Sequence, residues 1–209
     1  MTELAEMRSV VRALPRSRSI LLEAGTPLIK RYGIGVISEI RRLWKNAFVV
    51  ADIKTMDVGA LEADIAADGG ADAATCIGLA SGETINSFIA QAKKRGMKSV
   101  LDMMNVRDPV ALLRGLNRLP DIVSFHRPID VEFGGGKQDI APIEAARREF
   151  GRRVMIAAAG GLEPRSAKAA LKAGADIIIV GRYITGAGEP ARKAEELLRL
   201  LSPRQPPRI

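Results

Sequence analysis

Cysteine is nearly missing from this chain. Cys76 stands alone among 209 residues, so no internal disulfide can form, and a reducing compartment such as the cytoplasm is the expected setting. Aromatic residues are scarce too, at 4% against 47% hydrophobic residues overall. The core must therefore be built from Ala, Val, Ile, Leu and Met, a mixture that suits α/β folds whose parallel strands are buried on both faces. No apolar run approaches the roughly 20 residues needed to span a bilayer, and the acidic opening Met1-Thr2-Glu3-Leu4-Ala5-Glu6-Met7 has no secretory pattern. No basic run of five or more occurs, although the formal net charge is +8. The cations are spread in pairs such as Arg41-Arg42 and Lys93-Lys94, and with so few aromatics there is no base-stacking platform. A solvated, Arg-rich surface is expected in place of a nucleic-acid interface, with a general pull on small anions. There is no CxxC pair and no P-loop, nor a GxGxxG fingerprint following a strand.

What is present is a regular alternation. Short apolar runs at residues 19–23, 48–54, 73–77, 99–103, 122–126, 154–159 and 177–181 are separated by amphipathic segments near 35–46, 58–68, 82–95, 108–117, 138–150 and 164–173. A helical pattern at 2–14 precedes them and another runs from about 190 to 201. This order predicts parallel βαβ units. Gly-Ala-Asp recurs at Gly70-Ala71-Asp72 and Gly174-Ala175-Asp176, where a helix ends and a strand follows. The seven strand candidates are one short of a closed (β/α)8 barrel. The predicted fold is thus a TIM (β/α)8-type barrel lacking its first strand, in one domain over 1–201 with a frayed tail at 202–209. Gly134-Gly135-Gly136 falls in a long loop.

In such barrels chemistry gathers at the carboxyl ends of the strands. Those ends carry, in order, Glu23, Asp52 with Lys54, Asp102, His126, Gly160-Gly161 and Gly181-Arg182. The segment Ala51-Asp52-Ile53-Lys54-Thr55-Met56-Asp57 is the most informative of these. Asp52 and Lys54 are two apart on a strand and share a face, Asp57 follows just beyond, and buried charges of this kind are costly unless paired. The reading is an ammonium kept charged by carboxylates, able to offset developing negative charge or deliver a proton; the alternative is a structural salt-bridge cluster. Asp102 is a further partner or a strand-end cap. His126, the sole histidine, suits proton transfer near neutral pH, or is structural. Glu23 is a metal ligand, a hydroxyl acceptor or a solvated acid, and Glu23 with Asp52 suits Mg2+, which takes few carboxylates alongside water and substrate. Gly160, Gly161 and Gly181 let backbone amides approach a phosphate and Arg182 adds a charged fork, unless these are ordinary tight turns.

Taken together, these pieces resemble the orotidine 5′-monophosphate decarboxylase suprafamily, in particular its 3-hexulose-6-phosphate synthase branch. The residues that carry the likeness are Glu23-Ala-Gly-Thr-Pro-Leu-Ile-Lys30, the Asp52-x-Lys54-x-x-Asp57 pattern, the stretch from Leu101 to Pro109, His126, Ala159-Gly160-Gly161 and the stretch from Ala175 to Ala187. The resemblance implies a homodimer of barrels in which Asp57 reaches the opposite subunit's site. It also implies Mg2+ near Glu23 and Asp52, and substrate phosphate at Gly160, Gly161, Gly181 and Arg182. The implied reaction joins formaldehyde to the phosphorylated pentulose D-ribulose 5-phosphate, giving a hexulose 6-phosphate through an enediolate, or runs in reverse. His126 would transfer protons and Lys54 would act electrostatically or as a relay. Neither a nucleic acid nor a membrane is implied as a partner.

Two relatives are alternatives. The 3-keto-L-gulonate-6-phosphate decarboxylase branch is similar at Glu23, Asp52, Lys54, Asp57 and His126, but usually has Glu where this chain has Asp102 and Arg where it has Ile129. The nucleotide decarboxylase usually continues the motif with Ile-Pro, whereas Val58-Gly59 follow here. The expected first strand, which in the family ends in a substrate-contacting Asp, is not found; the alternatives are a coding start placed too late or a cut chain, and a diverged, non-catalytic sugar-phosphate-binding homologue.

Overall fold

The computed structural model describes residues 1–133 and 139–201; the triple-glycine loop and the tail at 202–209 lie outside the described residues. The apolar runs form seven strands: β1 (Leu21–Ala24), β2 (Phe48–Thr55), β3 (Ala73–Ile77), β4 (Lys98–Asp102), β5 (Ile122–His126), β6 (Met155–Ala159) and β7 (Ile177–Ile179). They are hydrogen-bonded in chain order, every neighbouring pair parallel. The result is a curled half-barrel of the TIM type. β1 pairs only with β2, and β7 only with β6, among the described residues. Among the described residues these two strands are the edges of the sheet.

Helices α1 (Leu4–Ala13), α3 (Val36–Leu43), α4 (Gly59–Asp68), α5 (Gly82–Lys94), α6 (Pro109–Gly115), α8 (Ala141–Phe150), α9 (Pro164–Ala173) and α11 (Pro190–Leu198) occupy the amphipathic segments. Three shorter ones were not expected: α2 (Thr26–Tyr32), α7 (Ile129–Phe133) and α10 (Arg182–Thr185). Each lies within a strand-to-helix connection, where a stretch of four to seven residues shows little periodicity. β7 also stops at Ile179, short of the expected 181, because Val180 and Gly181 turn into α10.

Side chains alternate between the two faces of the sheet, and along β3 to β6 both faces are buried. Ala74, Leu101, Val123 and Ile156 pack outward against helix residues such as Ile37, Ile40, Ile85, Phe88 and Ile143. Ala73, Val100, Ile122 and Ala157 form a second, smaller cluster with Val50, Ile177 and Ile179 inside the barrel. Among the described residues no helix is long and apolar enough to cross a membrane.

The amino ends of the strands are fastened by a repeated device. Asp72, Asp121 and Asp176 stand just before β3, β5 and β7 and accept the backbone N–H of Val49, Ser99 and Ile156 on the preceding strand, at 2.7, 3.0 and 2.9 Å. Arg41 and Arg147 clasp two of these aspartates and donate from Nε to the carbonyls of Gly70 and Gly174, each at 3.0 Å. The Gly-Ala-Asp repeat thus closes a helix and at the same time locks the next strand. The clasped end is opposite the site, which leaves the carboxyl ends available for polar groups.

Candidate active site

At the carboxyl ends, β2 carries an irregularity that shapes everything around it. Ala51 pairs with Ala74 and Thr55 with Cys76, so three residues of β2 stand opposite Thr75 alone. Lys54 lies within this bulge in the left-handed region, at φ 49°, a conformation that costs a lysine about 1–2 kcal/mol. Strict alternation therefore does not place Lys54. The bulge re-aims it, a recognised role of bulges beside active sites.

The Lys54 ammonium is held between two carboxylates. Its Nζ lies 2.9 and 3.1 Å from the two oxygens of Asp52 and 2.8 Å from Oδ2 of Asp102. Burial works against its charge, but Asp52 and Asp102 outweigh that effect and hold its pKa above the ordinary lysine value. Asp52 also accepts the hydroxyls of Thr26 at 2.7 Å and Thr75 at 2.9 Å. Asp102 is only 2% exposed. Its Oδ1 accepts the backbone N–H of Met104 at 2.9 Å, and its Oδ2 also lies 3.0 Å from Nδ1 of His126. A carboxylate only accepts, so the Nδ1 proton is assigned to this bond and Nε2 is left for the cavity. Burial raises the pKa of Asp102, but the His126 hydrogen bond and the Lys54 charge reverse this and leave it below the usual carboxylate range. Lys54 and His126 thus meet on one oxygen, and Thr26, Asp52, Lys54, Asp102 and His126 form one continuous polar chain across β2, β4 and β5.

Glu23, at the carboxyl end of β1, faces the same cavity. Its pKa is raised to about 8, first by burial and then by the charge of Asp52, with Lys54 opposing and Asp102 adding. Glu23, Asp52 and Asp102 outnumber the single ammonium of Lys54, and the surplus negative potential falls on Glu23. Among the described residues no group of three or more His, Cys, Asp or Glu side chains is arranged around a common metal position. The donor set on offer is the pair Glu23 and Asp52. That pair fits the two-carboxylate, water-rich binding that Mg2+ favours, and a cation there would relieve the raised pKa.

Asp57 stands apart. It is exposed, and its carboxylate accepts the N–H of Val58 at 2.7 Å. Within this chain the second carboxylate on Lys54 is Asp102, from a strand 48 residues on. The glycines lie across the barrel mouth. Gly160 and Gly161 have φ of 97° and 61°. A side chain at Gly160 would bring its Cβ to 2.2 Å from the carbonyl oxygen of Arg127, whose own N–H donates to Ala159 O at 3.1 Å. The turn after β6 is therefore moulded against the end of β5. The Arg182 guanidinium lies 4.4 Å from the ring centre of Phe133. Glu23, Asp52, Lys54, Asp102, His126, Gly160, Gly161, Gly181 and Arg182 all line one cavity of about 1960 Å³. It exceeds an ordinary ligand pocket because it continues down the barrel interior to Leu14, Leu21 and Leu198 beside the two edge strands.

Residues 1–197 match the orotidine 5'-phosphate decarboxylase / HUMPS family. The chain belongs to that family. Among curated family members, proteins named bifunctional enzyme Fae/Hps from Methanospirillum hungatei and Methanoculleus marisnigri are each 46% identical, over 96% and 94% of this chain. The chain spans about half their length, 50% and 49%. A crystal structure of 3-hexulose-6-phosphate synthase superposes with a TM-score of 0.82 at 32% identity, covering 95% of this chain and 94% of that one. A crystal structure of KGPDC from Streptococcus mutans also superposes at 0.82, covering 97% of this chain and 95% of that one, and at 20% identity it shows a shared fold.

Two participants in this family member's site did not stand out in the sequence. Thr26 lies in the Glu23–Lys30 stretch, but its bond to Asp52 depends on α2, which was not expected. Thr75 sits in the middle of the apolar run of β3. A polar residue in a strand buried on both faces needs a partner, and that was the available signal.

Proposed function

We propose that this chain is a lyase of the 3-hexulose-6-phosphate synthase type, acting on D-ribulose 5-phosphate and formaldehyde or in the reverse direction. The observation that carries this reading is the shared Asp102 oxygen, which couples the Lys54 ammonium to the His126 ring beside an open cavity. The 32% identical synthase structure, matched over nearly its whole length, supports it. Gly160, Gly161, Gly181 and Arg182 would bind the phosphate and so set the distance from that anchor to the reacting carbons. Nε2 of His126 would take the proton from the carbon next to the ketone, and Asp102 would hold the imidazolium that forms. The enediolate carbon would then attack formaldehyde, and the His126 imidazolium would return its proton to the new oxyanion. Lys54 would offset the enediolate charge, an electrostatic role worth several kcal/mol once bound substrate displaces water from the site. Glu23 and Asp52 would hold Mg2+, which when bound would act as a Lewis acid on the substrate oxygens.

A homodimer belongs to the same reading. Met56 and Val58, the sequence neighbours of Asp57, with Leu61 and Ile65 of α4 and Leu79 beyond β3, are 56%, 52%, 57%, 43% and 47% exposed. A second copy of the chain covering this apolar face would bring Asp57 toward the neighbouring site. The lone Cys76 is buried, which pushes its thiol pKa up to about 12 and disfavours the thiolate; a chain with one cysteine suits a cytoplasmic setting.

The test is an assay with Mg2+, comparing formaldehyde fixation onto ribulose 5-phosphate with CO2 release from 3-keto-L-gulonate 6-phosphate. Fixation is expected, with Lys54→Ala losing roughly 10³-fold or more in kcat. CO2 release alone would transfer the chain to the decarboxylase branch. Tight binding of ribulose 5-phosphate without turnover would make it a binding protein.

A further inference from the structure

The bulge in β2 raises the question of what holds Lys54 in an unfavourable backbone conformation. Lys54 is one of three non-glycine residues with positive φ among the described residues, and the residue opposite its bulge is Thr75. Thr75 is 3% exposed, with its hydroxyl between the two strands. That hydroxyl accepts the backbone N–H of Lys54 at 2.8 Å and donates to Oδ1 of Asp52 at 2.9 Å. Both directions are fixed, because an N–H only donates and a carboxylate only accepts. Asp52 in turn binds Nζ of Lys54 at 2.9 Å.

One hydroxyl therefore fixes the lysine twice, through the main chain directly and through the ammonium by way of Asp52. We propose that Thr75 is the positioning residue for Lys54: it stabilises the left-handed bulge and orients Asp52, so that the ammonium reaches the Asp102 oxygen shared with His126. Thr75 lines the same cavity, but its one hydroxyl proton is committed to Asp52, so in this scheme it acts through Asp52 and Lys54. The expected signature is loss of turnover without loss of substrate binding, since the phosphate loops lie on β6 and β7. The γ-methyl of Thr75 is not required, so a serine serves as well.

This proposal rests on the lyase reading for its kinetic arm and on geometry alone for its structural arm. In the kinetic arm, Thr75→Val, which keeps the shape and removes the hydroxyl, is compared with Thr75→Ser in the Mg2+-loaded full chain. Thr75→Ala is measured beside them, so that a misfolded valine variant still leaves a hydroxyl-free protein to read. Thr75→Val and Thr75→Ala are expected to lose about 30- to 100-fold in kcat, as misplacement by an ångström does, with KM for ribulose 5-phosphate within about threefold of wild type. Thr75→Ser is expected to stay within about threefold in both. A folded Thr75→Val or Thr75→Ala with kcat within twofold of wild type overturns the proposal, as does Thr75→Ser losing as much as they do.

The structural arm decides the matter even if wild type proves to turn over neither phosphosugar, a result that would sink the lyase reading alone. A crystal structure of Thr75→Val, or of Thr75→Ala, is expected to show Lys54 out of the left-handed region and Nζ beyond hydrogen-bonding distance of Asp102. If φ of Lys54 stays positive and Nζ stays within about 3.2 Å of Asp102, Thr75 does not position the lysine.

Discussion

Replacing Glu23 by Gln is expected to stabilise this protein at neutral pH in metal-free buffer. The sign follows from where the proton sits. The carboxyl has a pKa of about 8 in the folded chain against an ordinary value of 4.5, so the folded state holds its proton more tightly than the unfolded state. Below pH 4.5 both states are protonated and the native environment of Glu23 costs nothing; between 4.5 and 8 the unfolded chain ionises first, and folding loses about 1.4 kcal/mol per pH unit from this group alone. At pH 7 the loss reaches about 3 kcal/mol, reduced to about 2 kcal/mol because cavity water reaches the side chain and screens its neighbours. A glutamine in its place cannot ionise and keeps nearly the same shape, so the variant escapes the loss. Urea unfolding of both proteins from pH 5 to 8.5 should give curves that nearly meet at the acid end and separate by about 2 kcal/mol at pH 7, equivalent to roughly 4–8 °C in Tm. Millimolar Mg2+ should close much of the gap by stabilising wild type and leaving Glu23→Gln unmoved. Stability profiles that run parallel across this range would refute the raised pKa and with it the burial and neighbouring charge that cause it.

The glycine turns and the arginine beside them give two further tests. Gly160→Ala must fit a Cβ that would lie 2.2 Å from the Arg127 carbonyl oxygen, in a backbone at φ 97°. A loss of about 3 kcal/mol or more is expected, seen as a fall of about 6–12 °C in Tm, whereas Gly82→Ala, with nothing within 4 Å of its built Cβ, should hold its midpoint. Arg182→Ala should weaken ribulose 5-phosphate binding by about 10- to 100-fold in calorimetric titration, the worth of one charged hydrogen bond, with little change in Tm. An unchanged affinity would remove Arg182 from the phosphate site.

The half-barrel was legible because each parallel strand is buried on both faces and so reads as a short aliphatic run, with β3 and β5 at their expected bounds. Glu23, Asp52, Lys54, Asp102 and His126 were legible for a related reason: polar residues ending such runs recur at matched positions of successive βαβ units. What the linear pattern did not carry was the bulge. A period of two assumes an unbroken ladder, and it placed Lys54 beside Asp52 by alternation when a left-handed backbone and Thr75 are what bring them together. Nearness in sequence likewise favoured Asp57 as the second carboxylate. Val58, at φ 47°, turns the chain away there, and Asp102 arrives from two strands across. Thr26 was obscured because α2 is only seven residues long and has too few turns to show a face.

The groups of this site differ in how firmly the sheet grips them. Lys54, Asp102 and His126 issue from strands flanked by neighbours on both sides, whereas Glu23 belongs to β1 and Gly181 with Arg182 follow β7, each with a single neighbour among the described residues. Fraying at either margin would loosen Glu23 and the turn that carries Gly181 and Arg182 while Lys54, Asp102 and His126 stayed registered. The cavity can then yield at the rims of the sheet without disturbing the hydrogen-bonded groups fixed at its centre.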